Sequence, residues 1–284
     1  MEDRKMSECS GNCSSCSSKE KSAECALNAR LATIKHKIVV MSGKGGVGKS
    51  TVSVNLAKFL AASGKKVGLL DVDLHGPSLP EMLGAADVIP DTDGNEFFPI
   101  EANGILLMSV GLLLDRTDAP VVWRGPMKIS VIKQLLTDVK WGELDYLIID
   151  CPPGTGDEPL SVCQLITDAD GAVIVTTPQN VAASDVARSI NFCRQINYNV
   201  LGIVENMSGF VCPDCGKVTD IFSSGAGERL AKDYNVELLG KLPLDPRVCM
   251  GGDSGNPFTG SEEASPVKEA FAKVGNRIIE LTDK

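Results

Sequence analysis

The stretch "VVMSGKGGVGKSTVSVNLAKFL", residues 39–60, decides how the rest of the chain is read. It satisfies two nucleotide-binding patterns at once. Gly43, Gly45 and Gly48 spell the dinucleotide fingerprint G-x-G-x-x-G, and Gly43 through Ser50 spell the P-loop G-x-x-x-x-G-K-S. Asp71 stands where a dinucleotide fold wants an acidic residue, so position alone does not separate the two. Chemistry does. A dinucleotide loop has no use for Lys49 and Ser50 directly after its last glycine. A P-loop needs both: the lysine reaches the β- and γ-phosphates, the serine holds Mg²⁺, and the backbone of Gly43, Lys44, Gly45, Gly46, Val47 and Gly48 cradles the anion at a helix N-terminus, with Thr51 following. A second test lies far along the chain. "YLIIDCPPGTGD" puts Asp150 at the end of an apolar strand, where a P-loop site wants an acid supporting Mg²⁺ and a dinucleotide site has no task for one. The P-loop reading wins, with ATP and Mg²⁺ as the implied ligands.

Outward from this loop, short apolar runs alternate with helical stretches. "KIVVMS", "KVGLLDVD", "YLIID", "GAVIVTT", "VLGIVEN" and "VELLGKL" read as buried strands. "KSTVSVNLAKFLAASG", "MKISVIKQLLTDV", "ASDVARSINFCRQI" and "PVKEAFAKVGNRIIEL" read as helices, the first ended by Gly64. Continuous Val/Ile/Leu strands alternating with helices predict an α/β fold: three layers, with a mostly parallel sheet covered on both faces. "EFFPIEANGILLMSV" reads as a hairpin inserted in that scheme. Residues 1–35 are rich in Ser, Cys, Lys and Glu and poor in apolar side chains. They are expected to form a flexible Cys-rich arm unless a metal orders them, ahead of an ATPase domain over 36–284.

The 284 residues suffice for one large core. A net charge of −9 argues against a nucleic-acid surface, which clusters Lys and Arg. "MEDRKMSECSGNCSSCSSKEKSAEC" has no apolar core of a signal peptide, and "ILLMSVGLLL" is too short to span a bilayer. The expectation is a cytoplasmic protein with neither membrane nor nucleic-acid partner. Ten cysteines in such a chain point to metal binding or catalysis rather than disulfides. Cys9, Cys13, Cys16 and Cys25 crowd the arm, and Cys212 and Cys215 form a C-x-x-C. Cys151, Cys163, Cys193 and Cys249 are scattered, and the expectation for them is small buried hydrophobes.

Lys44, an extra lysine after the first glycine, makes "KGGVGKS" resemble the deviant Walker A motif of the MinD/ParA/nitrogenase-iron-protein superfamily. The resemblance implies a lysine that reaches across a dimer to the partner's nucleotide. It also makes "DVDLHGPS" the first switch loop and "DCPPGTGD" the second, with Asp73 positioning the attacking water and Asp71 supporting the Mg²⁺ shell beside Ser50 and Asp150. An Asp at a strand end is also an ordinary cap or turn former, and for Asp71 that reading stays open. Further strings, "DLHGPSLPEMLG", "WRGPM", "DCPPGTGDEPLS", "TTPQNVAASDVARSINF" and "GIVENMSGFVCPDCG", together resemble the Mrp/ApbC family of ATP-binding iron–sulfur cluster carriers from about Lys37 to the C-terminus. That likeness implies that Asn206 contacts adenine.

By itself, "VCPDCGK" is a thiolate knuckle, half of a zinc ribbon or half of a cluster site. A complete site needs about four ligands, and two chains across a two-fold axis would supply them. The family resemblance implies that arrangement: one [4Fe–4S] cluster bridged by Cys212 and Cys215 of a homodimer and passed on to apo iron–sulfur proteins. Structural zinc and a redox disulfide are the rivals. The arm's C-x3-C-x2-C-x8-C has the ligand count of the four-cysteine motif in cytosolic eukaryotic relatives but a different spacing. A second cluster, zinc and a relay site all stay open there. Two other classes compete for the whole chain. A MinD/ParA-like positioning ATPase would need a basic amphipathic tail or a basic surface, whereas "KEAFAKVGNRIIELTDK" mixes both signs. A nitrogenase-reductase-like electron donor would take its cluster ligands from single, well-separated cysteines, not from a C-x-x-C.

Overall fold

The computed structural model describes residues 19–113, 125–212, 215–261 and 264–283. Its centre is β1, Ile34–Ser42, longer at its start than the apolar run suggests because His36 and Lys37 are buried too. His36 stacks on Tyr146, and its Nδ1 lies 3.0 Å from Asp170 Oδ1. Lys37 Nζ donates to Ile34 O at 2.7 Å. After β1 the chain makes the glycine loop and enters α2, Lys49–Ala62. It returns as β2, Val67–Asp71, and makes the short α3, Leu79–Met82.

The expected hairpin is present as β3, Ile100–Ala102, and β4, Ile105–Ser109, joined at Asn103 (φ 55) and Gly104 (φ 75). Positive φ at both central positions is what an Asn-Gly turn between two strands requires. The hairpin is not an insertion beside the sheet, since β4 pairs in parallel with β2 and so extends it.

Next come α4 (Gly125–Thr137), β5 (Leu144–Asp150), α5 (Asp157–Leu165), β6 (Gly171–Thr176), α6 (Asn180–Gln195) and β7 (Val200–Glu205). A small antiparallel ribbon, β8 (Phe210–Val211) with β9 (Val218–Thr219), follows β7. The chain closes with α7 (Ala226–Asp233), β10 (Leu238–Lys241), α8 (Pro246–Asp253) and α9 (Pro266–Thr282). The main sheet runs β10-β7-β6-β1-β5-β2-β4-β3, parallel except for β3. Alternate residues of β1 feed opposite faces: Ile38 and Val40 join Leu56, Leu60, Phe271 and Val274 of α2 and α9, while Val39 and Met41 join Ile132 and Leu136 of α4. Three layers follow from that alternation. The carboxyl ends of the parallel strands all open on one edge, so the loops after β1, β2, β5 and β7 are neighbours in space.

The described part of the expected flexible arm is ordered. Lys19–Leu31 form a helix, α1, that packs on α4. Leu27 and Leu31, one turn apart, are buried in the core, and Arg30 pairs with Glu96 and donates to Thr137 O at 3.2 Å. Two apolar side chains on one helical face suffice to dock a segment whose average composition is polar. Cys25 sits on this helix, while Cys9, Cys13 and Cys16, like Trp123, lie outside the described residues.

Candidate functional site

The glycine loop takes its shape from three glycines. Gly46 and Gly48 both have φ 79, a left-handed backbone closed to most side chains, and a Cβ on Gly43 would collide with the backbone of Asp185 in α6. Gly48 caps α2, whose first turn has neither an acidic residue nor a side-chain cap. Its leading N–H groups are therefore left without an acidic or side-chain cap at the cavity, an arrangement suited to an anion. That cavity, about 250 Å³, is lined by residues of the loop together with Ser50, Thr51, Asp73, Ser78, Met82 and Pro153.

Behind it lies a buried cluster of charge. Lys49 Nζ donates to Asp150 Oδ2 at 2.6 Å, and Ser50 Oγ donates to the same oxygen at 2.7 Å. Ser53 Oγ donates to Asp150 Oδ1 at 2.5 Å. Burial alone would depress the Lys49 ammonium, but Asp150, with Asp71 and Asp73 behind it, holds it above the usual lysine value. The register of β2 on β5 sets Asp71 directly beside Asp150. Burial first, and Asp150 second, push the Asp71 carboxyl up to about 7. Asp71 Oδ1 accepts from Asp73 N at 3.0 Å, and Oδ2 accepts from Ser109 Oγ at 3.1 Å and Leu79 N at 3.4 Å. It sits behind Asp150, bracing the first switch loop, and does not line the cavity. Asp73 does line it, its Oδ1 accepting from His75 N and Gly76 N, both at 3.3 Å. Lys44 is half-exposed at the cavity wall, and among the described residues no carboxylate lies within ion-pair distance of it.

A second cavity, about 170 Å³, adjoins the first through Thr51 and is walled by Asn206, Met207, Pro243, Leu244 and Asp245 among others. Asn206 is 8% exposed, and its Nδ2 donates to Val47 O at 2.9 Å. The side chain expected to contact adenine is thus fastened to the phosphate loop. Cys212 and Cys215 lie on the ribbon that leaves β7: Cys212 N donates to Lys217 O at 3.0 Å and Gly216 N to Cys212 O at 2.9 Å. Cys212 is half-buried and Cys215 exposed. Among the described residues, no three His, Cys, Asp or Glu side chains gather closely enough to hold a metal ion, so this knuckle offers half a ligand set.

Of the scattered cysteines, Cys151, Cys163 and Cys193 are buried as expected, and burial pushes all three thiols up, Cys163 to about 12 and Cys193 to about 11. Cys249 corrects the expectation. It is exposed on α8, a helix with no buried residue, and borders the second cavity with its Sγ 3.7 Å from Asp253 Oδ2.

Several site residues carried no signal in the sequence. Glu205, wholly buried, accepts from Ser208 Oγ at 2.6 Å on the leg entering the ribbon and from Gly227 N at 2.6 Å on the leg leaving it. One carboxylate clamps both feet. Lys128 Nζ lies 2.7 Å from His75 Nε2 and donates to Glu158 Oε1 at 2.7 Å, joining the first switch loop to the helix that follows the second. The "GIVEN" and "GDEP" strings contain these acids, but nothing local distinguishes them from solvated charges.

A glycine cradle at a helix N-terminus, a buried Lys–Ser–Asp cluster beneath it and a parallel sheet define a P-loop nucleoside-triphosphatase. The sequence profile of the NUBPL iron-transfer P-loop NTPases, in the ParA group, matches residues 33–279, and the chain belongs to that family. The resemblance read from the motifs is borne out at the level of the family. An iron–sulfur cluster carrier protein of Methanocaldococcus jannaschii is 49% identical over 288 residues, spanning 98% of this chain and 99% of its own. The cytosolic Fe-S cluster assembly factor NUBP2 of Homo sapiens is 48% identical over 257 residues, 89% of this chain and 95% of its own. Among solved structures, a nucleotide-binding protein of Archaeoglobus fulgidus in complex with ADP superposes with a TM-score of 0.76 at 40% identity, covering 87% of this chain and 96% of that one. Among the described residues, no helix is long and apolar enough to cross a membrane.

Proposed function

We propose that this protein is an ATP-dependent carrier that holds a [4Fe–4S] cluster between two copies of itself and passes it to apo iron–sulfur proteins in the cytoplasm. The observation that carries the reading is the half ligand set: two thiols on an exposed ribbon, in a chain 49% identical to a named cluster carrier. A second copy across a two-fold axis completes four ligands. A cluster held by only two bonds per chain at the surface is one a recipient can take. The arm cysteines Cys9, Cys13 and Cys16, with Cys25, are candidates for a second centre.

In the nucleotide site the residues divide the work. Loop N–H groups and Lys49 bind the phosphates, and Lys49 exchanges its bond to Asp150 for one to phosphate oxygen. That exchange leaves Asp150 Oδ2 and Ser50 Oγ available to hold Mg²⁺, an oxygen-seeking cation whose chemistry is to neutralise phosphate charge. Asp71 braces Asp73, and Asp73 orients the attacking water. Lys44, with no carboxylate within ion-pair distance among the described residues, reaches the nucleotide of the partner subunit. Hydrolysis is slow and coupled to cluster loading or transfer.

The test is iron and acid-labile sulfide per chain after anaerobic purification, with zinc assayed in the same sample. About two irons per chain are expected for one shared cluster. Cys212→Ser with Cys215→Ser should abolish the bridging cluster and its transfer while sparing nucleotide binding. Zinc in place of iron, or undiminished transfer by the double variant, would overturn the reading.

A further inference from the structure

Residues 242–245, between β10 and α8, form a strap that belongs to two cavities. Pro243, Leu244 and Asp245 wall the 170 Å³ cavity beside Thr51 and Asn206, and they also wall one of about 530 Å³ beneath Cys212. The strap is bonded to the chain entering the cysteine ribbon. Ser208 N donates to Leu242 O at 2.8 Å, Leu244 N donates to Gly209 O at 2.7 Å, and Phe210 bridges to Leu244. That entering chain turns through left-handed backbone at Met207 (φ 56) and Gly209 (φ 78), a conformation open to glycine but uncommon for the methionine. Its near end rests on the phosphate loop. Asn206 Nδ2 is bonded to Val47 O, and a Cβ on Gly48 would collide with Asn206 Nδ2 and lie 3.6 Å from Met207 Cε.

We propose that this strap sets the posture of the Cys212–Cys215 ribbon according to nucleotide occupancy, within one chain, and that Leu244 is the positioning residue shared by both cavities. A base entering beside Thr51 and Asn206 presses on Pro243–Asp245. Because the strap is hydrogen-bonded to Gly209 and bridged to Phe210, its displacement moves the ribbon's root. The 530 Å³ cavity supplies the room for that movement, which a close-packed interior would refuse. The entering leg closes the loop from the other side: a phosphate that shifts Val47 and Gly48 shifts Asn206 and Met207 with them. The inference rests on the carrier reading only for what the ribbon carries; the motion belongs to the metal-free chain.

Hydrogen–deuterium exchange on the metal-free full-length protein tests it, with and without saturating ADP or a non-hydrolysable ATP analogue. Nucleotide should change exchange of the 210–219 amides about fivefold or more, the lower end of measured site-to-site couplings. In Leu244→Ala that change should fall below about twofold while the amides of 43–52 still respond, which also shows that the variant folds. Met207→Gly should uncouple likewise, and it relaxes the backbone rather than straining it. Each variant is measured at its own saturating nucleotide, so weakened affinity does not imitate uncoupling. A ribbon indifferent to nucleotide in the wild type, or equally responsive in both variants, overturns the proposal. So does a response that survives in Leu244→Ala but vanishes in Lys44→Ala, since that assigns the coupling to the partner chain. Protein purified without iron or sulfide would overturn the carrier reading and leave this result standing.

Discussion

Replacing Asp71 by Asn exposes the electrostatic strain built into the nucleotide site. Asp71 is fully buried and lies beside Asp150, and its carboxyl is pushed up to about 7 from the ordinary 3.8. A carboxylate with a raised folded pKa binds its proton more tightly when folded. Its contribution to stability is therefore best below the unfolded value, erodes as pH rises from 3.8 toward 7, and reaches its full penalty above that. Over the window from pH 6 to pH 8 the group loses about 1.0 kcal/mol in the first unit and about 0.4 in the second, since each full unit of differential protonation is worth about 1.4 kcal/mol. Asn keeps the shape and can accept from Asp73 N, yet carries no charge to strand. The stability difference between Asp71→Asn and wild type should therefore move by about 1.4 kcal/mol in favour of the variant between pH 6 and pH 8. Denaturant unfolding of both proteins at pH 6, 7 and 8, free of metal and nucleotide, measures it. A difference constant with pH would mean that Asp71 is ionised throughout and would refute the reasoning.

Two other perturbations separate roles that the sequence places side by side. Lys49→Ala should reduce nucleotide binding at least about a hundredfold, because it removes the buried counter-charge to phosphate, whereas Lys44→Ala should leave binding within about threefold and lower hydrolysis. Equal loss of affinity in both, measured by calorimetry, would refute that division. Two truncations, of residues 1–18 and of residues 1–30, differ by most of α1: the longer takes Leu27 and Arg30 from their sites on the core and should cost about 1.5–3 kcal/mol more than the shorter for the leucine alone in a denaturation series. Iron and zinc content unaltered by the shorter truncation would show that Cys9, Cys13 and Cys16 hold no stable metal.

The phosphate cradle was legible because its physics is local. Glycines, a lysine and a serine at fixed offsets, between an apolar strand and an amphipathic helix, dictate a backbone shape within some twelve residues. The strands were legible for the same reason, since a run such as "YLIID" has one stable environment, a sheet buried on both faces. Within the described residues 19–35 the expected flexibility gives way to a docked helix, because composition averages over a segment while docking depends on one face: Leu27 and Leu31 point inward although the segment as a whole is poor in large apolar side chains. Cys249 departs from its expectation for the converse reason: it is an apolar-looking residue on the outer side of a helix that has no fully buried residue and packs on the core through the partly buried Val248.

What only the tertiary structure decided concerns partners distant in sequence. Asp71 meets Asp150 because β2 pairs with β5 in one register, and a slip of one residue would turn one of the two to the other face. Glu205 can clamp the ribbon only because β7 brings it under the N-terminus of α7 at Gly227. The strap at 242–245 faces both cavities because β10 lies beside β7, an adjacency set by the order of strands in the sheet and by no motif. Local spacing determines which groups a short segment can present. Which groups then face one another is settled by long-range strand register, because each pairing depends on the apolar faces of both strands and their covering helices together.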